Sequence, residues 1–213
     1  PEWPFFAIRH LAAIAVQIAC NARKAQFHAI SYNLDCLLEL SIRRLGVEAV
    51  ATVPVVGKDV PSRDFVFRPE PRPSPDMPVV RILHPHGLIP LEPSYYEDEE
   101  ELSAMPLTMS SLDYEVRGGV ADVWQNSLQI SAFSQSRCWF YGFSFADPSV
   151  RKLLRLAKQI RGEIRSREGG HITMLPHMVE GSVPSEAEME LTLEDLGVSH
   201  LYWSLPTFRD QVA

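Results

Sequence analysis

Three short stretches carry side chains able to do chemistry. In ILHPHGLIPL, His84 and His86 follow the apolar positions Val79, Val80, Ile82 and Leu83, so a buried strand opens into a turn whose imidazoles can take or hold a proton near neutral pH. SYNLD offers Ser31, Tyr32, Asn33 and Asp35, and the Asn33 carboxamide, which both donates and accepts, can orient a water or a hydroxyl. GFSFADP offers Gly142, Phe143, Ser144 and Asp147: a glycine allows close backbone approach, and a serine hydroxyl beside it can hold a phosphate or a sugar. Each stretch also has a plainer account. A histidine before a glycine fills a turn, Asn33 and Asp35 cap a helix, and Gly142 to Asp147 make a tight bend ahead of a capped helix.

Positioning such turns requires strands that end at one rim. Apolar residues predict a helix over 5–21, a short strand over 26–31, and a second helix through Leu34, Leu37, Leu38, Ile42 and Leu45 with Gly46 just past its end and Asp35 at its start. Seven prolines between Pro54 and Pro78 make an insertion over 54–78 that cannot sustain a helix or an inner strand. Val120 to Phe133 reads as a helix, and RCWFY (137–141) as a fully buried strand of a parallel sheet. A long basic helix spans 147–167, opened by Asp147 as cap and Pro148 at its first turn. Strands at 171–175 and 200–204 flank a helix over 185–196 that stops at Gly197. Helices and strands in alternation predict an α/β fold, a Rossmann-like and mostly parallel sheet flanked by helices, with ligands beyond the carboxyl ends of the strands.

Bulk properties narrow the classes. The 213 residues suit a single domain, 1–213, and 46% apolar against 22% charged residues is a folding composition. A net charge of −7 argues against direct nucleic acid binding. The apolar stretch from Phe5 to Cys20 is broken by Arg9, His10 and Gln17 and is too short for a bilayer span, so no membrane partner is expected and a buried helix is. Cys20, Cys36 and Cys138 lie far apart with no CxxC pair, which predicts reduced thiols, a cytoplasmic setting and no metal. The acidic run Glu97 to Glu101 reads as a solvated face. The chain starts at Pro1, almost directly in a helix, as expected of a piece of a longer polypeptide.

In this order and spacing the stretches resemble the sirtuin-like (silent information regulator type) superfamily, and within it the zinc-free bacterial-defence branch that hydrolyses NAD. SYNLDCLLE is similar to the family's Thr-x-Asn-x-Asp turn followed by Leu-Leu-Glu, with Ser31 in the threonine's place. RILHPHGLI resembles its strand with a His-Gly pair, and PLTMSSLDY its segment leading to a tyrosine. CWFYGFSFADPSVRKLL resembles the branch's strand, Gly-x-Ser turn and Asp-Pro helix start, and HITMLPHM with EDLGVSHLYW its closing strand-helix-strand.

That resemblance implies NAD as substrate and cleavage to nicotinamide and ADP-ribose, with His86 and Asn33 catalytic. It implies NAD contacts from Ser31, Tyr32, Asp35, Gly87, Gly142, Phe143, Ser144 and Asp147. It further implies a homo-oligomer or a partner carrying the sensor. Two departures stand out: the family's glycine-rich phosphate loop has no counterpart in this sequence, as in a fragment beginning beyond it, and the zinc-binding cysteines of the protein deacylases have none either. A non-catalytic NAD-sensing or scaffolding module, and an NAD-dependent protein deacylase, are the competing functions.

Overall fold

A computed structural model describes residues 3–55, 62–70, 74, 76–89, 120–143, 145–164, 170–176 and 185–203. The chain divides into two compact units, Pro1–Gln125 and Asn126–Ala213, and each is described by itself.

In the first unit the helix α1 (Trp3–Asn21) and the helix α2 (Leu37–Arg44) pack on a four-stranded sheet. The strands are β1 (Ala29–Ile30), β2 (Glu48–Pro54), β3 (Ser62–Phe67) and β4 (Val79–Leu83), in the order β1-β4-β2-β3. β1, β4 and β2 are parallel, with Ala29 opposite Ile82 and Ala51 opposite Ile82 on the other side, while β3 runs antiparallel to β2. Ala12, Ala15 and Ala19 recur at spacings of three and four on the buried face of α1, and small side chains there let the helix approach closely. Ile14 and Ile18 on the same helix remain exposed, so α1 buries one face and is not the wholly buried helix that its hydropathy predicted.

The core of this unit joins those alanines to Ile42, Val47, Ala49, Ala51, Val53, Phe65, Phe67, Val80, Ile82 and Leu88. Each large side chain withdrawn from water contributes roughly 1.5 to 3 kcal/mol. β2 is a strand that the sequence pattern did not announce, yet its run from Ala49 to Pro54 is buried throughout: it is an inner strand between β4 and β3, and α2 packs on it. The proline-rich region 54–78 contains β3. It is the edge strand of the sheet, the position that prolines permit, and Phe65 and Phe67 alternate inward along it.

The second unit contains most of the helix α3 (Val120–Gln135), then β5 (Trp139–Phe140), α4 (Pro148–Ile164), β6 (His171–Pro176), α5 (Glu186–Leu196) and β7 (Val198–Trp203). Its sheet is parallel throughout, in the order β5-β6-β7, so each successive strand is reached through a helical crossover. α5 begins with a capping box, in which Ser185 accepts from the Glu188 backbone N–H while the Glu188 carboxylate accepts from the Ser185 backbone N–H, and it ends at Gly197 in the left-handed region. Lys158 of α4 donates to the carbonyls of Glu194 and Asp195 at that same end.

β5 departs from expectation. It holds two residues rather than the whole of 137–141, and Trp139 and Tyr141 are 67% and 55% exposed. Only Phe140 is buried, because β5 is the edge of its sheet and pairs with β6 alone. The two sheets and five helices of the described residues form a Rossmann-like α/β fold. The acidic run 97–101 and the segment PLTMSSLDY (106–114) lie outside the described residues.

Candidate functional site

Two of the three polar turns leave neighbouring parallel strands on the same side. The ladder between β1 and β4 continues past Ile30 and Leu83: the Ser31 N–H donates to the Leu83 carbonyl at 2.9 Å, the Ile89 N–H donates to the Leu34 carbonyl at 2.6 Å, and Asp35 bridges to Ile89. Parallel pairing therefore holds the turn 31–35 beside the turn 84–89 at the carboxyl ends of their strands, where α/β folds receive ligands.

Within that pair each residue has a definite place. Asn33 is exposed, His86 is half-buried, and the Tyr32 ring meets the His86 ring edge-on with centroids 5.1 Å apart. Gly87 is buried with φ of +89°, a conformation that a side chain would strain, and its N–H donates to the His84 carbonyl to close the turn around His86. Asp35 accepts the N–H of Leu37, the first residue of α2, at 3.0 Å, while the N-cap position itself is Cys36, whose side chain makes no capping hydrogen bond. Ser31 and Tyr32 are half-buried, Ser31 on the strand extension itself.

His84 lies in the opposite environment to His86. It is fully buried, its Nε2 lies 2.6 Å from Glu39 Oε1, and its Nδ1 lies 3.2 Å from the Asn33 carbonyl. Glu39 is also fully buried, and its second oxygen, Oε2, has no hydrogen-bond partner among the described residues. The sequence named Leu-Leu-Glu only as part of a pattern and passed over Glu39; the signal was a carboxylate on the apolar face of an amphipathic helix, one turn after Asp35.

The third turn belongs to the second unit. Gly142 is exposed with φ of +63°, and the space around it is open. Phe143 is half-buried, while Asp147 accepts the N–H groups of Ser149 and Val150 at 2.8 and 3.3 Å and caps α4. Ser144 lies outside the described residues. The bend is held from beneath by Phe140, Phe143 and Phe145, whose ring centroids lie 5.0 to 5.8 Å apart, and Phe140 also meets Phe133 and His171. Phe145 takes φ of +55°, a left-handed conformation rare for an aromatic residue and costing of order 1 to 3 kcal/mol, which nothing in the sequence announced.

Electrostatics set apart the histidines outside the turns. His171 is buried, and desolvation, helped by the Arg161 charge, lowers its pKa to about 4, so it is a neutral core residue whose Nδ1 accepts the Cys138 N–H. Burial also raises the Cys138 thiol to about 11, which leaves it unreactive as a nucleophile. His28 is shifted down by burial while its ring links Ala22 and Arg81. Among the described residues no three or more His, Cys, Asp or Glu side chains are grouped so as to hold a metal ion, and no helix is long and apolar enough to cross a membrane.

In each unit parallel strands end in a polar turn that runs into a helix, at Asp35 in the first and at Asp147 in the second, and such units define a Rossmann-like α/β protein. The particular family is fixed by the match of residues 28–201 to the SIR2-like domain: the chain belongs to the SIR2-like family, whose function is NAD-related. No curated protein matches it.

Proposed function

We propose that this SIR2-like domain hydrolyses NAD to nicotinamide and ADP-ribose. The observation that supports the reading most is the pairing of an exposed Asn33 with a half-buried His86 on adjacent strand ends, in a family that handles NAD. Nicotinamide leaves its ribose as a neutral molecule from a cationic state, so the transition state resembles an oxocarbenium ion and the leaving group needs no proton. The domain's work is then to orient a water and draw off its proton. His86 is the base and Asn33 orients the water or the ribose hydroxyls; a general base contributes about 100- to 10,000-fold.

In this reading Ser31, Tyr32, Asp35 and Gly87 are the NAD-contacting residues of the first unit, and Gly142, Phe143, Ser144 and Asp147 are the candidates for phosphate or ribose contacts in the second. Asp35 holds the Leu37 N–H and Asp147 the N–H groups of Ser149 and Val150, so each carboxylate is fixed in its turn beside the start of a helix. No metal is required. The domain acts in the cytoplasm as the effector of an anti-phage defence protein, held off until it oligomerises or meets a partner.

Nicotinamide release from NAD by the complete protein tests this, with no peptide present so that protein deacylation is separated from it. His86→Ala and Asn33→Ala are each expected to cut turnover by about 100-fold or more while leaving the melting temperature near that of the unaltered protein. Turnover retained in both variants overturns the assignment, and NAD binding without turnover in the unaltered protein selects a non-catalytic sensing module instead.

A further inference from the structure

We infer that the buried His84–Glu39 pair is the device that positions Asn33, an inference that rests on the hydrolase reading for its kinetic consequence. His84 touches both turns of the rim. Its backbone N–H donates to the Thr52 carbonyl at 2.9 Å and its carbonyl accepts the Gly87 N–H at 3.1 Å, which shapes the turn bearing His86. Its side chain crosses to the other turn, where Nδ1 reaches the Asn33 carbonyl.

A carbonyl only accepts, so Nδ1 must carry a hydrogen for that contact to bind. An imidazole in a dry site is free to place its hydrogen on either nitrogen unless something holds the other one. Glu39 does so: its Oε1 lies 2.6 Å from Nε2, and the two contacts together call for one hydrogen on Nδ1 toward the Asn33 carbonyl and one shared between Nε2 and Glu39. Among the described residues the buried Oε2 has no hydrogen-bond partner, so Glu39 is not placed there by a full set of hydrogen bonds; the one given for its side chain is to His84. Glu39 and His84 are thus positioning residues. They touch no substrate, and they fix where the carboxamide of Asn33 stands relative to the turn of His86.

Two isosteric pairs of variants separate positioning from bulk stability. His84→Asn keeps a donor where Nδ1 stood and gives up Glu39, whereas His84→Gln keeps a donor where Nε2 stood and gives up Asn33. Glu39→Gln donates to Nε2 and preserves the Nδ1 hydrogen; Glu39→Met releases it. In the complete protein we expect His84→Gln and Glu39→Met to lower kcat by up to about 100-fold, the effect of an ångström-scale misplacement, with KM within about twofold. His84→Asn and Glu39→Gln should recover most of the loss. The carbonyl-carbon NMR resonance of Asn33 should move in His84→Gln and Glu39→Met and stay in the other two. Variants of each pair losing kcat equally, in step with their melting temperatures, overturn the inference. If the unaltered protein releases no nicotinamide, the hydrolase reading fails alone, and the Asn33 resonance still decides the positioning: an unmoved resonance in His84→Gln overturns it.

Discussion

The turn of His86 and the turn of Gly142 are both bends at the carboxyl end of a strand, but they are built from different materials. The first is braced by a buried polar pair, His84 and Glu39, and by backbone hydrogen bonds that extend a parallel ladder. The second leaves a two-residue edge strand and rests on an aromatic cluster of Phe140, Phe143 and Phe145, with one of its residues strained at positive φ. Hydrogen bonds are directional, so a polar brace fixes the orientation of a neighbouring group; aromatic packing is broad, so it fixes a shape. The difference teaches that a side chain whose angle matters is best mounted on the first and a backbone surface on the second.

The largest expected effects test that contrast directly. Phe140→Ala, which empties the centre of the aromatic cluster, should cost about 3 to 5 kcal/mol of stability in denaturant melts. Glu39→Met leaves His84 Nε2 buried without its hydrogen-bond partner and is expected to cost about 1 to 3 kcal/mol. The two braces part company with conservative changes. Phe140→Met should be tolerated at about 1.5 kcal/mol or less, because packing needs volume and not direction. A polar brace should forgive only the isosteric Glu39→Gln. If Phe140→Met proves as costly as Phe140→Ala, shape alone does not describe the second turn.

The next effect comes from His171, which supports the aromatic cluster as a neutral ring. Its folded pKa, about 4, lies below the value of 6.5 for the free side chain. As pH falls below 6.5 the unfolded chain takes up the proton first, so stability present above that pH is lost on the way down to about 4. The full loss is roughly 3 kcal/mol. Thermal melts between pH 7 and 4 should show the decline, and in His171→Phe the part of it that His171 supplies should vanish; an unaltered profile in that variant would show that the ring is not the titrating group.

Much of this was legible in the sequence for identifiable reasons. α5 is bounded by Ser185 and Gly197, and α4 is opened by Asp147 and Pro148, because caps are local chemistry that short-range residues decide. β4 and the two rim turns of the first unit were marked by an apolar run broken by HPHG and by SYNLD. The hidden features depend on neighbours distant along the chain. Seven prolines obscured β3, whose strand is made by its pairing to β2, and an apolar RCWFY promised a buried strand that edge position leaves largely exposed. His84 and Glu39 are 45 residues apart, and no local pattern reveals that they touch. His86 is half-buried and His84 fully buried, a difference that two histidines two residues apart do not reveal, and the reach of His84 to the other turn is likewise set by the fold.

Gly142 carries the smallest and most discriminating effect. Its φ of +63° disfavours a side chain, yet a Cβ there would meet nothing within 4 Å, so substitution strains the backbone without a clash. Gly142→Ala should therefore cost only about 1 to 2 kcal/mol, and Gly142→Asn less, since asparagine tolerates the left-handed region. If the open space around Gly142 is where backbone meets a ligand, Gly142→Asn should weaken NAD binding in calorimetry while the fold stays intact. If the glycine serves the bend alone, Gly142→Asn should bind as the unaltered protein does, and the second turn would then contribute shape to the fold and nothing to the ligand.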